Sequence, residues 1–551
     1  MPKAKNILFI MCDQLRWDYL SCYGHPHLHT PNIDWLAENG VRFTNTYVQS
    51  PVCGSSRMSF YTGRYVQSHG ATWNGIPLKV GEMTMGDYLR PHGMQTALVG
   101  KTHMYADVEG MMRLGIDPDS IIGVRVSECG FDPYERDDGL HGQGPDGFYD
   151  SATPYLRYNQ YLRNHGFDGD NPWHSWANSS VDEAGKLLSG WLAENSHRPA
   201  RIPEEHSETA YMTRRAMDFI REAGDHPWCL HLSYIKPHWP YIAPAPYHKL
   251  YGPEDVIPSV RDKRELENPH PVYAEFVQHQ AGRSFSEESV RKNVIPAYMG
   301  LIKQIDDHLG KLWQFLKEQG RDQDTLIVFT SDHGDYLGDH WLGDKDLFHD
   351  PSVKIPLLIY DPSPQADAGR GTVCDALVES IDLAPTFLEL AGGDPQPHRL
   401  EGLSLMPWIR GETPSRWREY AISENDFSIL PAGAKLKLAP FDARMFMVFD
   451  GRYKYIHSTE FRPMLFDLEE DPQELVDLGE SPAHESMRQS LYAVLCRWGL
   501  RNSQRTTRSE QEVIHMRGKS MRRGILVGFW ETNELPPEVS NYMQAFQHGQ
   551  I

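Results

Sequence analysis

The chain has 551 residues, 40% hydrophobic and 23% charged, enough to bury a large core and to divide into more than one domain. Its 54 Lys and Arg against 75 Asp and Glu leave a formal net charge of -21, which disfavours nucleic acid and anionic membrane as general partners. Seven cysteines, an odd number with no CxxC pair, argue against a disulfide framework or a structural zinc site; no stretch reads as a signal peptide or membrane span, so a cytoplasmic location is expected.

Ile7 to Cys12 is a continuous apolar run, the pattern of a strand buried on both faces of a parallel sheet, and it ends in Asp13-Gln14. Pro31 to Gly40 predicts a helix, with Pro at its start and Gly at its close. Cys53-Gly54-Ser55-Ser56-Arg57 then stands where a loop becomes a helix closed by Gly63. This places a thiol at a helix N-terminus, where free N–H groups and the helix dipole attract anions and lower a thiol pKa. An isolated cysteine is ordinarily a small buried hydrophobe, so the reading depends on what surrounds it. Thr96 to Gly100 is a second buried strand, running into Lys101-Thr102-His103. The segment 105–205, rich in Gly, Asp, Pro and aromatics, reads as an insertion bordering the pocket.

Ser207 is the expected N-cap of a helix over 208–223, followed by a strand from Trp228 to Ile235 that leads into Lys236-Pro237-His238. Tyr298, Ile302, Ile305, Leu309, Leu312 and Leu316 mark one apolar face of a long helix stopping at Gly320. A strand from Thr325 to Thr330 ends in Ser331-Asp332-His333, another spans Val353 to Tyr360, and a helix covers Ile381 to Ala391. This alternation predicts an α/β fold, a large, mostly parallel sheet sandwiched by helices. Ligands of such sheets gather beyond the carboxyl ends of the strands, where Asp13, Lys101, His238 and Asp332 all fall. Farther on, Phe446 to Phe449, Arg452 to His457 and Met464 to Leu468 read as three antiparallel strands, with a helix near 482–499. The expected organisation is a catalytic domain 1–425, a small antiparallel-sheet domain 426–500 and an arm 501–551. The arm's apolar stretch Gly524 to Trp530 suits docking on a neighbouring subunit or folding back on its own.

Together Asn6-Ile-Leu-Phe-Ile-Met-Cys-Asp-Gln, Cys53 to Arg64, Gly100-Lys-Thr-His, Lys236-Pro-His, Ser331-Asp-His-Gly and Arg452-Tyr-Lys-Tyr-Ile resemble the sulfatase family of the alkaline phosphatase superfamily, most closely its arylsulfatase and phosphonate monoester hydrolase branch. The resemblance runs from Asn6 to about Leu478, and Ser55 stands where the family signature Cys-x-Pro-x-Arg has proline. It implies an alkaline phosphatase-like fold and conversion of Cys53 to formylglycine by a formylglycine-generating maturation enzyme. It also implies one divalent metal ion, held by Asp13, Gln14, Asp332 and His333 with the modified Cys53. With two carboxylates and an imidazole, calcium and manganese are the expected ions.

By the same resemblance, Arg57, Lys101, His103, His238 and Lys345 are the catalytic cations and acid-base groups. Arg57 holds the hydrate and the anion, Lys101 and Lys345 neutralise anionic oxygens, Lys345 or His238 serves the leaving oxygen, and His103 is the base for adduct breakdown. Asn74 matches a substrate-contacting position of the phosphonate hydrolase branch, although Asn74-Gly75 also reads as a plain turn. Trp73, Tyr105 and Trp239 flank site residues, and Asp335, Asp339 and His340 read as supporting loop groups. The expected activity is hydrolysis of sulfate monoesters, chiefly aryl sulfates, with promiscuous phosphonate monoester and phosphodiester hydrolysis, in a homo-oligomer (dimer or tetramer). Lys101 and His103 together favour sulfate; phosphonate monoester hydrolase or phosphodiesterase as main activity, and choline sulfatase, are the alternatives. A two-zinc site using His349 and Asp350 is a rival mechanism, and a metal-binding relative without turnover a non-enzymatic one.

Overall fold

The computed structural model describes residues 4–139, 157–517, 519 and 528–550. The chain forms two compact units, Met1–Pro395 with Leu400–Arg501, and Gln396–Arg399 with Asn502–Ile551.

The first unit is built on a sheet of eight strands: β1 (Asn6–Asp13), β2 (Val41–Tyr47), β3 (Gln95–Gly100), β4 (Asp132–Arg136), β5 (Trp228–Pro237), β6 (Thr325–Ser331), β7 (Lys354–Tyr360) and β8 (Thr372–Glu379). Their order across the sheet is β8-β2-β7-β6-β1-β5-β3-β4. All pairings are parallel except those of β7, which runs antiparallel to β2 and β6. The reason lies in the connection. A parallel neighbour needs a crossover to the opposite end of the sheet, whereas the link from β6 to β7 holds only the short turns Asp339–Trp341 and Asp350–Val353 and stays at the carboxyl edge. The sequence pattern did not reveal β2, β4 and β8: VRFTNTY and DPYER hold too few apolar residues to read as buried runs, and Asp375 breaks TVCDALVE; β4 and β8 are the two edge strands.

β1 explains the layering. Ile7, Phe9 and Met11 enter one core with Phe60, Tyr61 and Phe387, while Leu8, Ile10 and Cys12 enter a second. That second core is closed by the helices Glu208–Ala223 and Glu288–Glu318. All six residues of the predicted apolar face, Tyr298 to Leu316, are buried there, each such side chain contributing roughly 1.5–3 kcal/mol. Ser207 caps the first of these helices by accepting from the Ala210 N–H.

The antiparallel sheet has four strands, β9 (Ala421–Asp426), β10 (Arg444–Phe449), β11 (Tyr453–Ser458) and β12 (Met464–Asp467). β9 is the strand that the sequence pattern missed, so the sheet opens at Ala421. One face carries Ile422, Val448, Tyr455 and Leu465 against Leu491, Val494 and Leu495 of the helix Glu485–Gly499. The other, with Met445, Met447, Phe449, Ile456 and Met464, joins the first core of the large sheet.

The second unit holds the helices Glu510–Met516 and Pro537–Gln547. Of its expected apolar stretch, 524–527 lie outside the described residues, and Phe529 and Trp530 are exposed. Among the described residues no helix is long and apolar enough to cross a membrane, and the seven cysteines are free.

Candidate active site

β6, β1, β5 and β3 are adjacent and parallel, so their ends deliver Asp332, Asp13, His238 and Lys101 side by side. Cys53 begins the helix Cys53–Thr62, which opens after extended Val52 and closes at Gly63, φ 66°. Gly54 is required here: a Cβ would lie 2.8 Å from Asn74 Oδ1, which accepts the Gly54 N–H at 2.8 Å. The oxygen of Asn74 is thus spent on the helix start.

Asp13, Cys53, Asp332 and His333 converge. Each offers a buried ligand atom, and these atoms all lie within 4.8 Å of one another. Cys53 Sγ is 2.9 Å from His333 Nε2 and 3.8 Å from Asp13 Oδ1. His333 Nδ1 donates to Gly334 O at 2.8 Å, which turns Nε2 toward the cluster. Burial alone would lower its pKa, but Asp332 and Cys53 outweigh that and raise it to about 9. Two fully buried carboxylates, a thiol and an imidazole within this span are a donor set suited to one divalent cation. No second cation-binding group of this kind occurs among the described residues. His349 instead bonds Tyr336 and Asp350 pairs with Lys454, so the two-zinc alternative finds no support.

Gln14 sits beside the cluster in the left-handed region, φ 63°, a backbone strain of order 1 kcal/mol offset by its N–H donating to Asp332 Oδ1 at 3.0 Å. Its Nε2 donates to Asp335 Oδ2 at 2.6 Å and Tyr241 OH at 3.1 Å, and its Oε1 accepts from Lys345 Nζ at 3.1 Å. Asp335 therefore clamps Gln14, its carboxyl raised to about 6 by burial and by Asp344. Asp339 pairs with Arg16 and His340 with Glu265.

The fork of Arg57 is directed at the cluster itself. Nε donates to Asp332 Oδ2 at 2.7 Å and Nη2 to Asp13 Oδ2 at 3.3 Å, while Nη1 donates to Lys101 O and Ser233 Oγ, both at 2.8 Å. In this structure the guanidinium holds the carboxylates in position. Lys101 Nζ pairs with Asp13 Oδ2. Burial would raise the Asp13 carboxyl, but Lys101, with His238 and Arg57, holds it well below the usual carboxylate range. Lys345 is buried yet kept charged by Asp344, Cys53 and Asp13.

His238 is buried and His103 half-buried, and desolvation pushes both well below the ordinary imidazole value. His238 Nδ1 donates to Trp239 O at 2.7 Å, so its Nε2 is the free ring atom. His103, φ 56°, has a buried Nδ1 with no hydrogen-bond partner among the described residues. Ser233, Tyr241 and Ser56, whose Oγ donates to Asp332 O at 2.6 Å, escaped sequence reasoning, whereas Asp335 already reads from the sequence as a supporting loop group. Only Ser233 left a signal, a polar residue within a largely apolar strand.

The family model described as Sulfatase matches residues 5–393, and one described as the C-terminal part of N-sulphoglucosamine sulphohydrolase matches 338–499. The chain is 32% identical over 536 residues to the multifunctional alkaline phosphatase superfamily protein PehA of Trinickia caryophylli, covering 91% of this chain and 96% of that protein. It is 27% identical to an arylsulfatase of Clostridium perfringens, over 89% and 93% of the two chains. The phosphonate monoester hydrolase structure from Silicibacter pomeroyi superposes with a TM-score of 0.78 at 28% identity, over 90% and 96%. Sequence, superposition and the cluster at the strand ends agree: the chain belongs to the sulfatase family, within the alkaline phosphatase superfamily.

Proposed function

We propose that the protein hydrolyses sulfate monoesters, aryl sulfates foremost, with slower turnover of phosphonate monoesters and phosphodiesters. The buried convergence of Asp13, Cys53, Asp332 and His333 carries this reading. Those residues, with Gln14, would hold one calcium or manganese ion, which when bound lowers the pKa of a coordinated hydroxyl and draws charge from the ester's oxygens. Cys53, converted to formylglycine by a maturation enzyme, supplies an attacking hydroxyl as its hydrate, and a second hydroxyl that releases sulfate without attack by water.

The chain's own groups do the rest. Arg57 fixes the two ligand carboxylates, and the Asp335–Tyr241 clamp fixes Gln14. Lys101 and Lys345 place positive charge where the anionic ester sits. Lys345 or His238, whose Nε2 is free, stabilises or protonates the departing alcohol oxygen. His103, neutral and with an unspent ring nitrogen, takes the proton from the second hydroxyl.

The pairing of Lys101 with His103 favours sulfate over phosphonate as the main substrate. Likeness to the phosphonate monoester hydrolase structure favours the reverse order. Comparing kcat/KM for phenyl sulfate and a phenyl phosphonate monoester on metal-loaded protein decides between them. Cys53→Ala abolishes both activities; turnover retained by that variant would refute the nucleophile.

A further inference from the structure

In the proposed roles Lys345 or His238 serves the leaving oxygen, so the alcohol part of the ester lies on their side of the cluster. Trp239 packs on His238 with ring centroids 3.9 Å apart, and its ring lies 5.7 Å from Lys345 Nζ. Its Nε1–H points at Asp344 Oδ1, 3.4 Å away. Trp191, which follows the short hairpin Ser179–Val181 and Leu187–Ser189, meets Trp239 with centroids 5.1 Å apart and planes at 57°. Its own Nε1–H donates to His174 Nδ1 at 3.2 Å, and buried Trp173 backs it at 6.4 Å. The indole is therefore fixed in orientation while 38% exposed. Trp191 and Trp239 thus present adjoining aromatic faces beside His238 and Lys345, on which a planar ring can stack. Asp344, its side chain 29% exposed, stands 3.3 Å from Lys345 Nζ. Lys345 also serves Gln14 Oε1, so it offsets that carboxylate only in part.

We propose that Trp191 and Trp239 form the subsite for the alcohol portion of the substrate, that this portion is a planar aromatic ring, and that Asp344 disfavours a ring carrying a second anionic group. The proposal rests on the ester hydrolase reading and adds the recognition of the leaving group. Ring stacking supplies binding that a small alkyl ester lacks, and like charges beside Asp344 repel.

The test is calorimetric binding to the metal-loaded Cys53→Ala protein, which separates recognition from turnover. Phenyl sulfate should bind about tenfold tighter than methyl sulfate. Trp191→Ala should erase that advantage without weakening methyl sulfate, Trp191→Phe should keep most of it, and Trp191→Leu should match Trp191→Ala if the alanine variant melts early. Asp344→Asn should improve 4-carboxyphenyl sulfate about threefold relative to phenyl sulfate. An undiminished phenyl advantage in Trp191→Ala and Trp191→Leu, equal loss for both esters, or no measurable binding of phenyl sulfate overturns the subsite. An unchanged carboxyphenyl ratio overturns the charge selection. If ring selectivity holds while wild-type protein turns over neither ester, the hydrolase reading falls and the subsite stands.

Discussion

Glu424 ties β9 of the small sheet to the catalytic body: its N–H donates to Gln49 O at 2.8 Å, and its Oε1 accepts from Gln67 N at 2.9 Å. The side chain is buried, and burial raises its pKa from the ordinary 4.5 to about 7, against the opposing pull of the Gln67 N–H and of Arg501 and Arg444. Below about pH 4.5 the carboxyl is protonated in folded and unfolded chains alike. Between these two values the folded state keeps a proton that the unfolded chain has released, so stability falls as pH rises and the loss is complete above about pH 7. The gap corresponds to about 3 kcal/mol. Glu424→Gln keeps the acceptor for Gln67 and removes the titration. Melting both proteins at pH 5 and pH 8 isolates the group, because every other titration cancels in the difference. Glu424→Gln should gain on the wild type by about 3 kcal/mol between those pH values, an increase of several degrees in relative Tm. Parallel pH profiles would refute the burial argument.

At the site, Asp332→Asn should lower metal occupancy at least tenfold and abolish turnover, measured by elemental analysis beside activity; normal occupancy would contradict the ligand assignment. Chelation should stop turnover and lower the melting temperature, and calcium or manganese at about a hundredfold excess over Kd should restore roughly 2.7 kcal/mol of stability. Ser55 is the third residue of its helix, ahead of the first intrahelical bond from Ser56 N to Val52 O, and its hydroxyl is buried without a partner among the described residues. Ser55→Pro should therefore fold with stability within about 1 kcal/mol of wild type, read by thermal melting, and a large loss would place a needed hydrogen bond there.

What was legible in the sequence was the abrupt end of each apolar run. Buried strands breaking into Asp13-Gln14 or Asp332-His333 announce a polar site at one sheet edge, because a lone charge at the end of a fully buried strand otherwise has nothing to pair with. β2, β4 and β8 lack such runs because polar residues interrupt VRFTNTY, DPYER and TVCDALVE. The direction of β7 depends on where its connecting segment lies, which no local pattern records. The same holds for the groups that hold the ligands. Tyr241 and Ser56 carry no spacing signal, and Trp191 sits in an irregular insertion whose aromatics gave no period. Arg57 was visible as a site residue, but not that its fork grips Asp13 and Asp332.

The central claim is that Cys53 is the precursor of the nucleophile. Mass spectrometry of the tryptic peptide Phe43 to Arg57 from fully active protein tests it most directly. The account predicts an aldehyde, trapped by a hydrazine reagent, in place of the thiol at residue 53, in proportion to specific activity. Full activity with an unmodified Cys53 thiol would contradict it.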